Sequence, residues 1–207
     1  TRLAGNEGAP AEEVLASLSG LVELYRLTGE DVYLSAAKRG WQQVVAEHRY
    51  VTGAVGWRGR LRGDGMLPGE PSAEVGDALV TAEWLRLNRE LLRATGESCF
   101  GDEIERTVYN HLLALQDGVS GAWAAHAPLV GRRRFGVEAG KRSAGTGLAM
   151  ALARKAIWGT LGGGPAVVLY TPGEAVFRVQ VQGEAREIQL RSETNFPVQG
   201  SVRLMIG

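Results

Sequence analysis

Apolar residues fall at helical steps through the first two-thirds of the chain and alternate through the last quarter. Leu15, Leu18, Val22 and Tyr25 recur three and four residues apart, which predicts an amphipathic helix over Glu12 to Leu27. Thr28-Gly29-Glu30 ends it, with Gly29 at the left-handed stop. Asp31 is expected to cap a second helix running to about His48, whose inner face carries Tyr33, Ala37, Trp41, Val44 and His48. A Gly-rich loop from Thr52 to about Ser72 follows. A third helix is expected over Glu74 to Ala94, anchored by Leu79, Trp84, Leu87 and Leu91. A fourth runs from Asp102 to Leu115 and carries Ile104, Val108 and Leu112. From about Val167, short alternating runs read as strands: Ala166 to Tyr170, Val176 to Gln180, Glu187 to Arg191 and Ser201 to Met205. Pro172-Gly173, Gln182-Gly183 and Gln199-Gly200 separate them.

An internal repeat lies in the helical part. Leu24-Tyr25-Arg26-Leu27-Thr28-Gly29-Glu30 is echoed by Leu91-Leu92-Arg93-Ala94-Thr95-Gly96-Glu97. Tyr33 then matches Phe100, and Arg39 matches Arg106, at the same offset. One helical hairpin cannot bury its own apolar face, so repeated hairpins imply stacking, in an open solenoid or a closed toroid. Gly162-Gly163-Gly164 precedes a strand and reads as a linker, which divides the chain into a helical domain over 1–160 and a β domain over 161–207. The fold class is mainly α with a β tail.

Charge then removes several functions. Lys plus Arg is 23 and Asp plus Glu is 23, so the formal net charge is zero. No nucleic-acid partner held by phosphate neutralisation and no polybasic membrane anchor is expected. No apolar run approaches the ~20 residues of a bilayer span. With Cys99 alone, there is no internal disulfide and no multi-cysteine zinc site. The opening Thr1 to Asn6 and the apolar ending Val202 to Gly207 read as the middle of something longer, so the chain is expected to be a fragment. Its compartment is not legible, with the cytoplasm slightly favoured, and a homodimer is left open.

Several groups are candidates for chemistry. Gly145-Thr146-Gly147 opens a helix but lacks the preceding strand and third glycine of a dinucleotide loop. Arg58, Arg60 and Arg62, and the run Arg132-Arg133-Arg134, read as solvated charge or as donor forks for an acidic sugar. His48 and His111 lie on helices as core or rim residues, whereas His126 follows a turn and is expected to face a pocket. Cys99 has no basic neighbour in sequence and reads as structural. Trp57 is either a sugar-stacking platform or a loop anchor. Glycoside hydrolysis commonly uses two carboxylates, and Asp64, Glu70, Glu74 and Asp77 cluster around the long loop. Glu74 and Asp77 are expected to share a helix face, in a first turn where acidic residues are favoured in any case.

Several segments together resemble one family. They are Leu21 to Glu30 with Tyr33, Leu34, Ala37 and Lys38; Tyr50 to Gly56; Leu67-Pro68; Ala73-Glu74; and Glu83-Trp84. Ile104 to Ala114, Pro128-Leu129, Leu169 to Glu174 and Glu193 to Pro197 complete the series. In order and spacing they are similar to glycoside hydrolase family 127, the β-L-arabinofuranosidase-like family, from about Gly20 to the end. The resemblance implies a partial (α/α)6 toroid of helical hairpins followed by a truncated β-sandwich. It implies a carbohydrate partner, arabinofuranoside-like or an acidic sugar. It also implies a zinc-bound cysteine thiolate that attacks the anomeric carbon and a Glu that protonates the leaving oxygen. The zinc is held by a Glu, a Cys two residues later and two adjacent Cys further on; it keeps as thiolate a group otherwise mostly protonated near neutral pH.

The chain departs from that pattern. Glu-x-Cys reads Glu74-Val75-Gly76. The Cys pair falls at Ala139-Gly140 or at Arg142-Ser143, and the acid/base Glu falls at Gly59. No catalytic residue is matched, and neither the zinc nor another cofactor is expected. Whether the protein is an enzyme is left open. The expected function is a non-catalytic sugar-binding or scaffold domain, with Glu74, Trp57 and His126 as substrate-binding candidates. The alternative is a divergent glycosidase with carboxylates drawn from Asp64, Glu70, Glu74 and Asp77. A third reading has Arg58, Arg60 and Arg142 turning the pocket toward an acidic sugar.

Overall fold

The computed structural model describes residues 10–62, 74–133, 135–136, 139–161, 163–181 and 183–207. Helices α1 (Ala11–Thr28) and α2 (Asp31–Glu47) form one hairpin, and α3 (Ala78–Thr95) and α4 (Ser98–Thr107) form a second. Their turns are built alike. Thr28 Oγ1 donates to the Leu24 carbonyl at 2.8 Å and accepts from the Glu30 amide at 3.2 Å. Thr95 Oγ1 donates to the Leu91 carbonyl at 2.8 Å and accepts from the Glu97 amide at 3.1 Å. Gly29 and Gly96 stop their helices at φ 75° and 73°, a left-handed backbone that glycine adopts without a Cβ penalty. Lys38 Nζ reaches Glu97 at 2.6 Å and ties one hairpin to the other.

The core is centred on α3, whose Trp84, Leu85, Leu87 and Leu91 are fully buried. Helix α1 packs against both α2 and α3, and α3 packs against α4. Trp41 of α2 stacks on Trp84 with centroids 6.3 Å apart and meets Phe100 edge-on at 4.8 Å. Asn88 satisfies the indole N–H of Trp41. Trp41 Nε1 donates to Asn88 Oδ1 at 2.7 Å, and the Asn88 amide donates to the Trp84 carbonyl at 2.8 Å.

Several boundaries differ from the sequence expectation. Asp31 lies inside α2; Glu30 precedes it, and no side chain caps that helix. The third helix begins at Ala78 because Asp77 caps it, accepting from the Leu79 amide at 2.9 Å. Glu74 therefore lies outside the helix, and Glu74 and Asp77 do not share a helix face. Leu79, expected as a core anchor, is exposed. The fourth helix starts at Ser98 and gives way to a π segment, Val108–Leu112, then a 3₁₀ turn, Leu113–Leu115. Gly145-Thr146-Gly147 opens nothing, since α5 (Ala139–Ala156) runs through it. A Cβ on Gly145 would stand 2.8 Å from the Leu79 nitrogen, so this glycine allows α5 to approach the start of α3 closely.

The chain forms two compact units, Thr1–Ala153 and Arg154–Gly207. In the second, β1 (Trp158–Leu161) pairs antiparallel with β2 (Gly164–Val167). Strands β3 (Gly173–Val181), β4 (Glu184–Thr194) and β5 (Val202–Ile206) make an antiparallel sheet in that order. Phe177, Val179 and Leu190 form its buried face, with Trp158, Ala175 and Ile188 packed against them. β1 was not expected. Leu161 pairs with Gly164 at the end of the β1–β2 hairpin.

Candidate functional site

Three short segments meet beside the N-terminus of α3. Trp57 bridges to Val75, the Arg58 amide donates to the Glu74 carbonyl at 2.7 Å, and the Gly76 amide donates to the Gly56 carbonyl at 3.2 Å. On the other side, the Ala127 amide donates to the Val75 carbonyl at 3.2 Å and the Ala78 amide to the Ala125 carbonyl at 3.3 Å. The middle segment thus pairs on both edges. Its Val75 is buried with Tyr50 and Ala54, and Trp57 and Leu129 pack on that cluster. The apolar contact at Val75 fixes the ribbon, and its neighbour Glu74 remains only partly buried. The Ala11 amide donates to the Gly59 carbonyl at 2.8 Å and joins the ribbon to α1.

A cleft of about 450 Å³ opens beside this ribbon, lined by Glu12, Arg58, Gly59, Glu74, Asp77, Leu79, His126, Ala144, Gly145 and Leu148. That volume lies in the range of small-ligand sites. Among the described lining residues, three are carboxylates (Glu12, Glu74, Asp77) and one is a guanidinium (Arg58). Ionised carboxylates are pure acceptors and suit a ligand rich in hydroxyl donors. Leu79 adds an apolar wall, which accounts for an exposed leucine at the start of α3.

The structure brings four of the sequence candidates, Arg58, Glu74, Asp77 and His126, into this one cleft. Nδ1 of His126 is buried and has no hydrogen-bond partner among the described residues. Trp57 is not among the described lining residues. Its ring packs on the Tyr50–Ala54–Val75 cluster, with the guanidinium carbons of Arg58 and Arg62 at 5.5 and 5.4 Å from the centroid. It anchors the loop. Asp64 and Glu70 lie outside the described residues, as do the side chains of Arg134 and Arg142. Arg60, Arg132 and Arg133 are exposed. Arg58 has φ 52°, the one non-glycine among the described residues in the left-handed region.

The remaining histidines are in the core. His48 Nδ1 lies 2.7 Å from the Arg62 carbonyl. His111 Nε2 lies 3.0 Å from the Gly76 carbonyl and 3.1 Å from Thr81 Oγ1, and burial lowers its pKa to about 4. Burial, with Glu97 nearby, pushes the Cys99 thiol up, so that thiol is not activated. Gly76 has φ 61°, and a Cβ there would fall 2.5 Å from His111 Cε1 and Nε2 and 2.8 Å from the Ala54 Cβ.

Sequence reading missed Glu12 and Leu79 as lining residues. An acidic residue in a first helical turn and a leucine at helical spacing are both ordinary, so neither carries a signal. Gly145 and Leu148 enter the cleft only because α5 approaches α3 so closely.

No curated protein matches the sequence. Solved structures share the fold, among them three glycoside hydrolases. One is a GH127 β-L-arabinofuranosidase from Geobacillus stearothermophilus T6, at 20% identity and TM-score 0.75, covering 93% of this chain and 32% of that one. Another is a GH127 β-arabinofuranosidase at 22% identity and TM-score 0.77, covering 95% and 31%. A third, a glycoside hydrolase, has 17% identity and TM-score 0.74, covering 98% and 38%. The chain spans about a third of the length of these structures. Their likeness makes the hairpins part of a helical toroid that leads into a short β region. The family model of the β-L-arabinofuranosidase GH127 catalytic domain matches residues 5–142, two-thirds of the sequence, and the chain belongs to that family.

Proposed function

We propose that the cleft binds an arabinofuranoside-like sugar and that this member of the family lacks zinc–thiolate chemistry. One observation carries the reading. Glu74 stands in the cleft where the family pattern has its first metal ligand, while two residues on Gly76 has no room for a side chain. A tetrahedral zinc site takes about four protein or water ligands, with thiolates the anchors in this pattern. The matched positions supply Glu74, then Gly76, and then Ala139-Gly140 or Arg142-Ser143. These residues do not fit the metal. Gly59, at the acid/base position, lines the cleft without a side chain to give a proton.

The residues that remain suit recognition. Glu74 and Glu12 accept from sugar hydroxyls, Arg58 donates to ring or hydroxyl oxygens, and Leu79 covers an apolar sugar face. The excess of carboxylates favours a neutral sugar over an acidic one. A second reading, hydrolysis by a carboxylate pair, is favoured by one feature: Glu12 and Glu74 line the same cleft.

The test is calorimetric titration of the full-length protein with methyl β-L-arabinofuranoside and, separately, with galacturonate. Saturable binding of the arabinofuranoside, weakened at least tenfold by Glu74→Gln, is the expected result. Preference for galacturonate, or no saturable binding of either sugar, would overturn the reading. Turnover of an aryl arabinofuranoside that survives a chelator but not Glu74→Gln would establish the carboxylate pair instead.

A further inference from the structure

The π segment Val108–Leu112 interrupts the second hairpin where α4 would otherwise run on, and such bulges recur where a helix must redirect a side chain. It carries His111, which is 1% exposed, to the buried side of the cleft wall. The proton inventory around that ring is decided by its neighbours. Thr81 Oγ1 donates its own proton to the Asp77 carbonyl at 2.9 Å, so its oxygen is left to accept. The Gly76 carbonyl can only accept. Nε2 therefore holds the proton and shares it between the two, at 3.0 and 3.1 Å. The ring is neutral, since burial keeps it from charging until about pH 4.

Four residues earlier, Thr107 Oγ1 donates to the Gly53 carbonyl at 3.2 Å. A Cβ on Gly53 would stand 2.9 Å from the Thr107 backbone, so loop and helix touch there. Thr107 and His111 thus hold the two loops of the cleft wall from beneath. The first loop brings Arg58 and Gly59 to the cleft, and the second brings Glu74 and Asp77.

We propose that His111 is the positioning residue of this cleft: its Nε2–H clamps the Gly76 carbonyl and the Thr81 hydroxyl, and its ring fills the volume that a side chain at position 76 would need. Glu74 and Asp77 are held at the cleft from either side of that clamp. An imidazole at 111 and any side chain at 76 exclude each other, so Gly76→Cys alone places no thiol in the cleft. The clamp stands on its own geometry; only its effect on sugar binding rests on the function proposed above.

Amide hydrogen exchange on the full-length protein tests it. His111→Leu is expected to speed exchange at least tenfold in both 53–60 and 74–78. His111→Gln, which keeps an N–H near Nε2, is expected to restore most of the protection. Leu91→Ala serves as a control of comparable destabilisation and should leave those two segments relatively unchanged. If His111→Leu does not fold, Gly76→Ala loosens the same clamp from the other side and is expected to release both segments. Exchange no faster than in the control, or no rescue by glutamine, would overturn the proposal. In the same variants, arabinofuranoside affinity should fall tenfold with leucine and recover with glutamine. A wild-type protein that ignores the arabinofuranoside would defeat the functional reading, while the exchange results would still decide the clamp.

Discussion

Leu24 and Leu91 hold equivalent places in the two hairpins, and the carbonyl of each accepts a threonine hydroxyl at 2.8 Å. Yet Leu24 is 42% exposed and Leu91 is fully buried. The same contrast runs along the helices. On α2 only Ala37 and Val44 are buried, whereas α3 buries residues on nearly every side, including Thr81, Asn88 and Glu90. The turn is a local device and repeats with its sequence. Burial is decided by neighbours: α3 meets α1 and α4, takes Trp41 of α2 against Trp84 and Asn88, and is approached by Gly145 of α5. The second hairpin also continues into the π segment, whose His111 meets the Gly76 carbonyl behind the cleft, and the first has no counterpart: α2 ends as a regular helix at Glu47.

Substitutions at matched positions sharpen this contrast. Trp84→Ala should have the largest effect, about 3–5 kcal/mol by urea unfolding, since a buried aromatic leaves a cavity that the surrounding helices cannot close. Leu91→Ala should follow at roughly 2–5 kcal/mol, and Leu24→Ala should stay below about 1 kcal/mol. Equal losses at the two leucines would break the comparison.

Acid should weaken the second hairpin through its buried imidazole. His111 titrates near 6.5 when unfolded and near 4 when buried, so the unfolded state binds more protons between those values. Its contribution is complete above pH 6.5 and is lost as pH falls toward 4, on the order of 3 kcal/mol across that window. His111→Gln should flatten this part of a stability–pH curve. An unchanged slope would mean that the ring is solvated.

Gly145→Val tests the approach of α5 to α3. With the Leu79 nitrogen 2.8 Å from its Cβ direction, a loss of roughly 1–3 kcal/mol is expected. The smallest effects, about 1 kcal/mol each and equal within error, are expected for Gly29→Ala and Gly96→Ala, because both stop a helix in the same left-handed backbone. Unequal values would show that burial reaches even the turn.

The hairpins were legible because their signals are local. Thr-Gly-Glu states where a helix stops, and Trp84, Leu87 and Leu91 state which face is covered. The start of α3 was not legible, since Glu74 and Asp77 look like a first helical turn and only the pairing of Glu74 and Gly76 with residues 56–58 keeps them out of it. The π segment leaves no trace in Val108 to Leu112, whose apolar spacing also suits an α-helix. β1 was hidden because Trp158 to Leu161 is short and abuts glycines, which read equally as a linker and as a hairpin turn. Of the residues that line the cleft, Arg58, Glu74, Asp77 and His126 were named from sequence as candidates, and Glu12, Leu79 and Gly145, which come from three different helices, were not.

The cleft is proposed to recognise a sugar without a zinc-held thiolate. The most direct measurement incubates the full-length protein with an aryl β-L-arabinofuranoside, first with added zinc and then with a chelator. The account expects no turnover that depends on the metal, with the sugar still bound. Turnover that zinc supports and the chelator abolishes would contradict it.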